Sequence, residues 1–175
     1  MEESTQPAPS TRAIGVKWGL ISTAIGLVIF CAMYFAGMNA FGNGWALGLF
    51  RFAIAIVILV LAHNEFKSQG DGFMTYGQGF MIGLWITLIG VLISGIFMYV
   101  FSNFIDTGVM DLMYEDQAEQ MRQQGQNEDA IEMAQTWTKK LFWPLFFVFG
   151  FIFGLVVPLI VTIFTQKKNQ QADFQ

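Results

Sequence analysis

One charge lies within an apolar run of this chain: Arg51, in WALGLFRFAIAIVILVLA. A guanidinium in hydrocarbon is costly, so an intramembrane arginine is by default a functional hypothesis. Asp106 closes a later apolar run on the same membrane face, which makes Arg51 and Asp106 a candidate polar pair. The competing reading is structural. Arg51 lies about two turns inside its run, close enough to one end for the side chain to snorkel to the interface and fix helix depth. That closeness favours the structural reading. His63 and Glu65 are the other titratable pair, but His63 is the chain's single histidine. With no second imidazole and no ligand-like spacing, an interfacial polar residue is the better reading than a metal site or general base. Cys31 is the single cysteine, so there is no intrachain disulfide and no thiolate cluster. Eight acids follow: Asp106, Asp111, Glu115, Asp116, Glu119, Glu128, Asp129 and Glu132. They recur at helical spacing without a D-x-D-x-D-G loop, which describes a solvated helix face rather than a cation site. No Gly-rich phosphate loop, G-x-S-x-G or zincin motif is present. No catalytic, cofactor-binding or metal residue is assigned, no cofactor is expected, and the expectation is a protein that is not an enzyme.

The elements that carry these residues are membrane elements. The chain has 175 residues, of which 54% are hydrophobic and 13% charged, with a mean hydropathy of +0.51. Soluble domains carry about 25% charged residues, so this is a membrane composition. The expected fold is all-α: four transmembrane helices over about 14–38, 45–62, 79–101 and 141–164, forming one domain over 12–168. Residues 1–11 read as a disordered tail and 169–175 as a polar tail. Residues 39–44 are a tight Gly/Asn turn between the first two spans, and 63–78 a polar connector. Between the third and fourth spans, 106–140 reads as an extramembrane helical hairpin, with Gly125 as a C-terminal cap and Asn127 as an N-cap. Pro144 opens the fourth span, and Pro158 lies well inside it and should kink it.

The third span organises the rest. Gly79, Gly83, Thr87, Gly90 and Ser94 recur at spacings of four, four, three and four, so they share one helical face that admits a close neighbour. The first span matches it at a constant offset: Gly15, Gly19, Leu20, Thr23, Ile25, Gly26 and Ile29 correspond to Gly79, Gly83, Leu84, Thr87, Ile89, Gly90 and Ile93. That pattern fits either a duplicated helical hairpin or chance similarity of apolar helices. Gly150 and Gly154 add a small-residue pair in the fourth span. The expected helix-packing seam is therefore Gly15, Gly19, Gly26, Gly79, Gly83, Thr87, Gly90, Ser94, Gly150 and Gly154.

Four spans put both termini on one side, with Arg12, Lys17, Lys67, Lys167 and Lys168. The other side carries Arg122, Lys139 and Lys140, with Arg51 near its face. The turn at 39–44 has no positive charge, so the positive-inside rule favours cytoplasmic termini, against the pull of Lys139 and Lys140. The basic residues form no stripe, so nucleic acid is not an expected partner.

Several short motifs carry a family likeness. These are Lys17-Trp18-Gly19, Tyr76-Gly77-Gln78-Gly79-Phe80-x-x-Gly83, Phe104-Ile105-Asp106, and the acidic Glu/Gln/Met stretch with Lys139-Lys140 before the last span. In these features the chain resembles a family of uncharacterised four-span membrane proteins of Bacteroidota, a domain of unknown function. The resemblance covers roughly 13–168. It implies a bacterial inner-membrane location and four helices, and brings no activity and no site residues. The leading expectation is a non-enzymatic accessory, scaffold or self-associating subunit, with the lipid bilayer and a protein partner or second copy as its contacts. The alternative is a small transporter or channel built on the duplicated hairpin.

Overall fold

A computed structural model describes residues 9–38 and 45–167. The expected turn at 39–44, most of the N-terminal tail, Lys168 and the C-terminal tail lie outside the described residues. Five α-helices occur among the described residues: α1 Thr11–Phe35, α2 Trp45–Gln69, α3 Tyr76–Val100, α4 Val109–Gln123 and α5 Glu128–Thr165. A π-helical turn, Phe101–Ile105, follows α3 directly. Four of these segments are long and apolar enough to cross a membrane: Thr11–Phe35, Trp45–Gln69, Tyr76–Ile105 and Glu128–Thr165. No strand occurs among the described residues, only an isolated antiparallel bridge between Met74 and Lys167. The described residues are thus helical without strands, and the four apolar helices suggest a multi-pass membrane protein.

The helix ends follow local chemistry. Ser10 caps α1, its Oγ accepting from Ala13 N at 3.3 Å. The helix stops at Phe35 rather than running to Met38. Gly37 adopts φ 70°, which an L side chain resists, and Met38 N bonds back to Met33 O. The stretch read as a connector from residue 63 is helical to Gln69, because no breaker precedes Gly70. Thr75 and Gln78 form a reciprocal box at the start of α3: Thr75 N donates to Gln78 Oε1 (2.8 Å) and Gln78 N to Thr75 Oγ1 (3.3 Å).

The largest difference from the sequence reading is α5. The segment before Leu141 and the fourth span form one helix of 38 residues that passes through both Pro144 and Pro158. At 1.5 Å per residue its contour is about 57 Å, against about 30 Å of bilayer hydrocarbon. Pro144 therefore sits inside a helix instead of in its first turn. Each proline removes one donor, and a membrane helix tolerates this when a neighbour replaces the bond. For Pro158 the replacement is visible. The α-helical donor to Gly154 O would be the absent N–H of residue 158, and Thr87 Oγ1 donates there at 3.0 Å instead.

By contacts the chain divides into two compact units, Met1–Gly90 with Phe151–Gln175, and Val91–Gly150. In the first, Ile14, Ala62, Phe66, Met74 and Ile82 form a buried cluster, with Trp18 and Ile86 packed against it. Lys17 Nζ donates to Glu65 Oε1 and Oε2 at 2.8 and 2.9 Å, which pairs α1 and α2 in antiparallel register. In the second, Val109, Tyr114, Ala118 and Ile131 are buried. Gln135 Nε2 donates to Tyr114 O at 3.3 Å, and Lys139 Nζ lies 5.1 Å from the centre of the Tyr114 ring. Burial, with Asp111 nearby, pushes the Tyr114 phenol up. Gly125 takes φ 79° and Asn127 Oδ1 accepts from Ala130 N at 2.8 Å, the cap pair that the spacing predicts. The π turn closes through Asp106 N to Phe101 O, and Asn103 Nδ2 donates to Tyr99 O at 2.8 Å.

Candidate functional site

The densest polar chemistry of the first unit gathers where α2 ends, α3 begins and α5 ends. Leu59, Ala62, His63 and Phe66 follow helical spacing and are all buried, so His63 belongs to the packed stripe of α2. Its ring is fully buried, with Nε2 3.0 Å from Gly79 O and Nδ1 2.7 Å from Thr165 Oγ1. A carbonyl only accepts, so Nε2 carries the proton of the first bond. The second bond can be made in two ways. In a neutral ring Nδ1 accepts the Thr165 hydroxyl proton. In a charged ring Nδ1 donates, and the hydroxyl turns to Val161 O, 3.0 Å away. Lys67 Nζ donates to Thr165 O at 3.2 Å, covering the C-terminus of α5.

Gly79 makes this junction fit. A Cβ there would lie 2.6 Å from Thr162 Cγ2, so only glycine lets the two backbones approach this closely. Thr162 is fully buried, and its Oγ1 has no hydrogen-bond partner among the described residues. A second polar group ties α1 to α2: Trp18 Nε1 donates to Glu65 Oε2 at 2.7 Å beside the Lys17 bridge, and Gln69 Nε2 reaches Glu65 Oε1 at 2.7 Å. His63 and Glu65, a pair in the sequence, thus serve different neighbours. No group of three or more metal-ligating side chains occurs among the described residues.

The glycines of the expected seam divide by environment. A Cβ at Gly15 would lie 2.5 Å from Trp85 Cβ, and one at Gly19 3.0 Å from Ile89 Cβ, so both meet α3. A Cβ at Gly83 would overlap the Pro158 ring, and one at Gly154 would lie 2.5 Å from Thr87 Cγ2, so these join α3 to α5. Gly90 is only in ordinary contact with Thr23 Oγ1 at 3.7 Å, and Gly26 has open space around it. In the second unit, Gly150 is in ordinary contact with Val91, Ser94 is half-buried, and the close approach belongs to Gly95, where a Cβ would lie 2.6 Å from the Phe147 ring. Thr23 and Thr87, equivalent in the sequence match, make different bonds: Thr23 Oγ1 donates to Gly19 O within its own helix.

Arg51 lies on the exposed side of α2 in the first unit and lines a cleft of about 150 Å³ with Ser22, Ile25, Gly26, Ile29, Ile54 and Ala55. Asp106 belongs to the second unit, where its Oδ1 accepts from Gly108 N at 3.0 Å.

The His63 junction was not visible from motifs. The signal that could have found it is the stripe Leu59, Ala62, His63 and Phe66, which extends the apolar period past the residue taken as the end of the span.

The family model described as "Protein of unknown function (DUF4199)" matches residues 17–167. No curated protein matches the chain. No solved structure matches it.

Proposed function

The chain belongs to the DUF4199 family of unknown function, and from that premise we propose that it is a non-enzymatic subunit that acts by association in a bacterial inner membrane. One observation carries this reading. In the first unit three polar groups of the spans join helices: Glu65 to Lys17 and Trp18, His63 to Gly79 and Thr165, and Thr87 to Gly154. That chemistry builds a scaffold. α4 and the N-terminal part of α5 form the extramembrane hairpin, whose exposed acids offer a docking face to a partner.

Both termini are cytoplasmic in this reading. Pro9 lies against Gly70, and Met74 pairs with Lys167, so the start of α1 and the end of α5 leave the first unit at one end. Arg12, Lys17, Lys67 and Lys167 belong to that end, which supports the orientation. The second reading is a small transporter or channel, favoured by the match between the first and third spans.

The test is extraction of the tagged full chain in mild detergent from its native membrane, with measurement of particle mass and co-purifying chains. A stoichiometric second protein, or a defined homo-oligomer without flux, supports the subunit reading. A particle of this chain alone that passes solute in reconstituted vesicles overturns it in favour of transport.

A further inference from the structure

The cleft between α1 and α2 has a charged end and an apolar end. Ser22, Ile25, Gly26 and Ile29 share one face of α1, and Arg51, Ile54 and Ala55 one face of α2. The antiparallel register set by Lys17 and Glu65, carried along both helices, brings Arg51 to the Ile29 end and Ala55 beside Gly26. Arg51 is also six residues from Trp45, roughly 9 Å along the axis, so the charge sits towards the membrane interface. The lining runs from there towards the bilayer centre, apolar along Ile29, Ile54, Ala55, Gly26 and Ile25 and ending at Ser22. Among the described residues no other helix comes within 4 Å of where a Gly26 Cβ would be, so the cleft is open at Gly26 rather than packed. A guanidinium offers five donors in a planar fork, enough to keep a protein partner and still present an edge to a phosphate.

A positive mouth above an apolar trough is the complement of an anionic amphiphile. The geometry points to a binding site for one anionic phospholipid, its phosphate on Arg51 and the upper part of one acyl chain along Ile25, Gly26 and Ile54. Both halves are needed. The charge selects the headgroup, and the open floor at Gly26 admits the chain. This site goes beyond the subunit reading and does not depend on it.

The experiment is native mass spectrometry of the full chain in mild detergent with phosphatidylglycerol, phosphatidylcholine or inorganic phosphate. Phosphatidylglycerol is expected to be retained about tenfold better than phosphatidylcholine, which has the same phosphate but carries a choline cation that offsets its charge beside Arg51. R51Q should bring it down to the phosphatidylcholine level. G26L, which keeps the charge and fills the floor, should lower it as well. Unchanged phosphatidylglycerol retention in either variant overturns the proposal. So does displacement of phosphatidylglycerol by inorganic phosphate at equal concentration, which would mark a free-phosphate site. Should R51Q fail to fold in thermal unfolding, R51M takes its place: it removes the charge and keeps an apolar stem, so a fall to the phosphatidylcholine level supports the assignment and unchanged retention overturns it.

Discussion

At the scale of single residues, Thr87 answers a problem created by a residue on another helix. Pro158 cannot donate to Gly154 O, and in hydrocarbon an unmet carbonyl has no water to turn to. The Thr87 hydroxyl fills the gap at 3.0 Å. T87V keeps the shape and removes the donor, so it should cost about 1 kcal/mol, between the average interhelical bond and the cost of an unsatisfied buried group. The cycle with P158A tests the cause, because alanine restores an N–H to the α5 backbone. In the P158A background the T87V penalty should shrink by at least half, read from unfolding of the detergent-solubilised protein by sodium dodecyl sulfate. An equal penalty in both backgrounds would mean that Thr87 acts through packing alone. Thr87, Gly154 and Pro158 were each legible in the sequence as small, small and breaking. Their mutual dependence was not, because it arises only when two helices far apart in the chain share one carbonyl. His63 is a related case. A lone imidazole at the end of an apolar run reads as interfacial, and its full burial shows only once α3 and α5 close over it.

Among the elements, the helices were legible and their ends less so. Hydropathy locates a span by transfer cost, whereas a helix ends where capping chemistry stops it, at Gly37 for α1 and past Gln69 for α2. The same gap explains α5, whose polar first third and apolar remainder look like two elements although no breaker separates them before Pro144. Small-residue spacing marks positions that can admit a neighbour, but not which of them do. The structure separates them, and the separation can be measured. G83A and G154A place a methyl against Pro158 and Thr87, so overpacking should cost about 1–3 kcal/mol, more than the ~1 kcal/mol that alanine gains over glycine in a helix. G26A meets open space and should be neutral or stabilising by up to about 1 kcal/mol. Unfolding midpoints of the three variants decide the matter. Equal shifts at Gly26 and Gly83 would show that helix propensity, not close approach, governs this seam.

For the whole molecule, the consequence to test is parity. Four helices among the described residues are long and apolar enough to span; if all four cross, the two termini emerge on the same side, and the first unit brings Pro9, Gly70, Met74 and Lys167 to one end. The charge pattern alone decides weakly, since Lys139 and Lys140 oppose the residues around the termini. Parity does not depend on that count, and labelling reads both at once. With Cys31 replaced by serine, single cysteines at Gln6, Gln126 and Gln170 are exposed to a membrane-impermeant thiol reagent before and after lysis. The expected pattern is modification of Q126C in intact cells, and of Q6C and Q170C only after lysis. The inverse pattern would keep four spans and reverse the orientation, making Lys139 and Lys140 the residues that set it. Opposite behaviour of Q6C and Q170C would require an odd number of crossings. One of the four apolar helices would then lie along the membrane or against a partner, and the segment to examine first would be α5, whose contour of about 57 Å exceeds any single crossing.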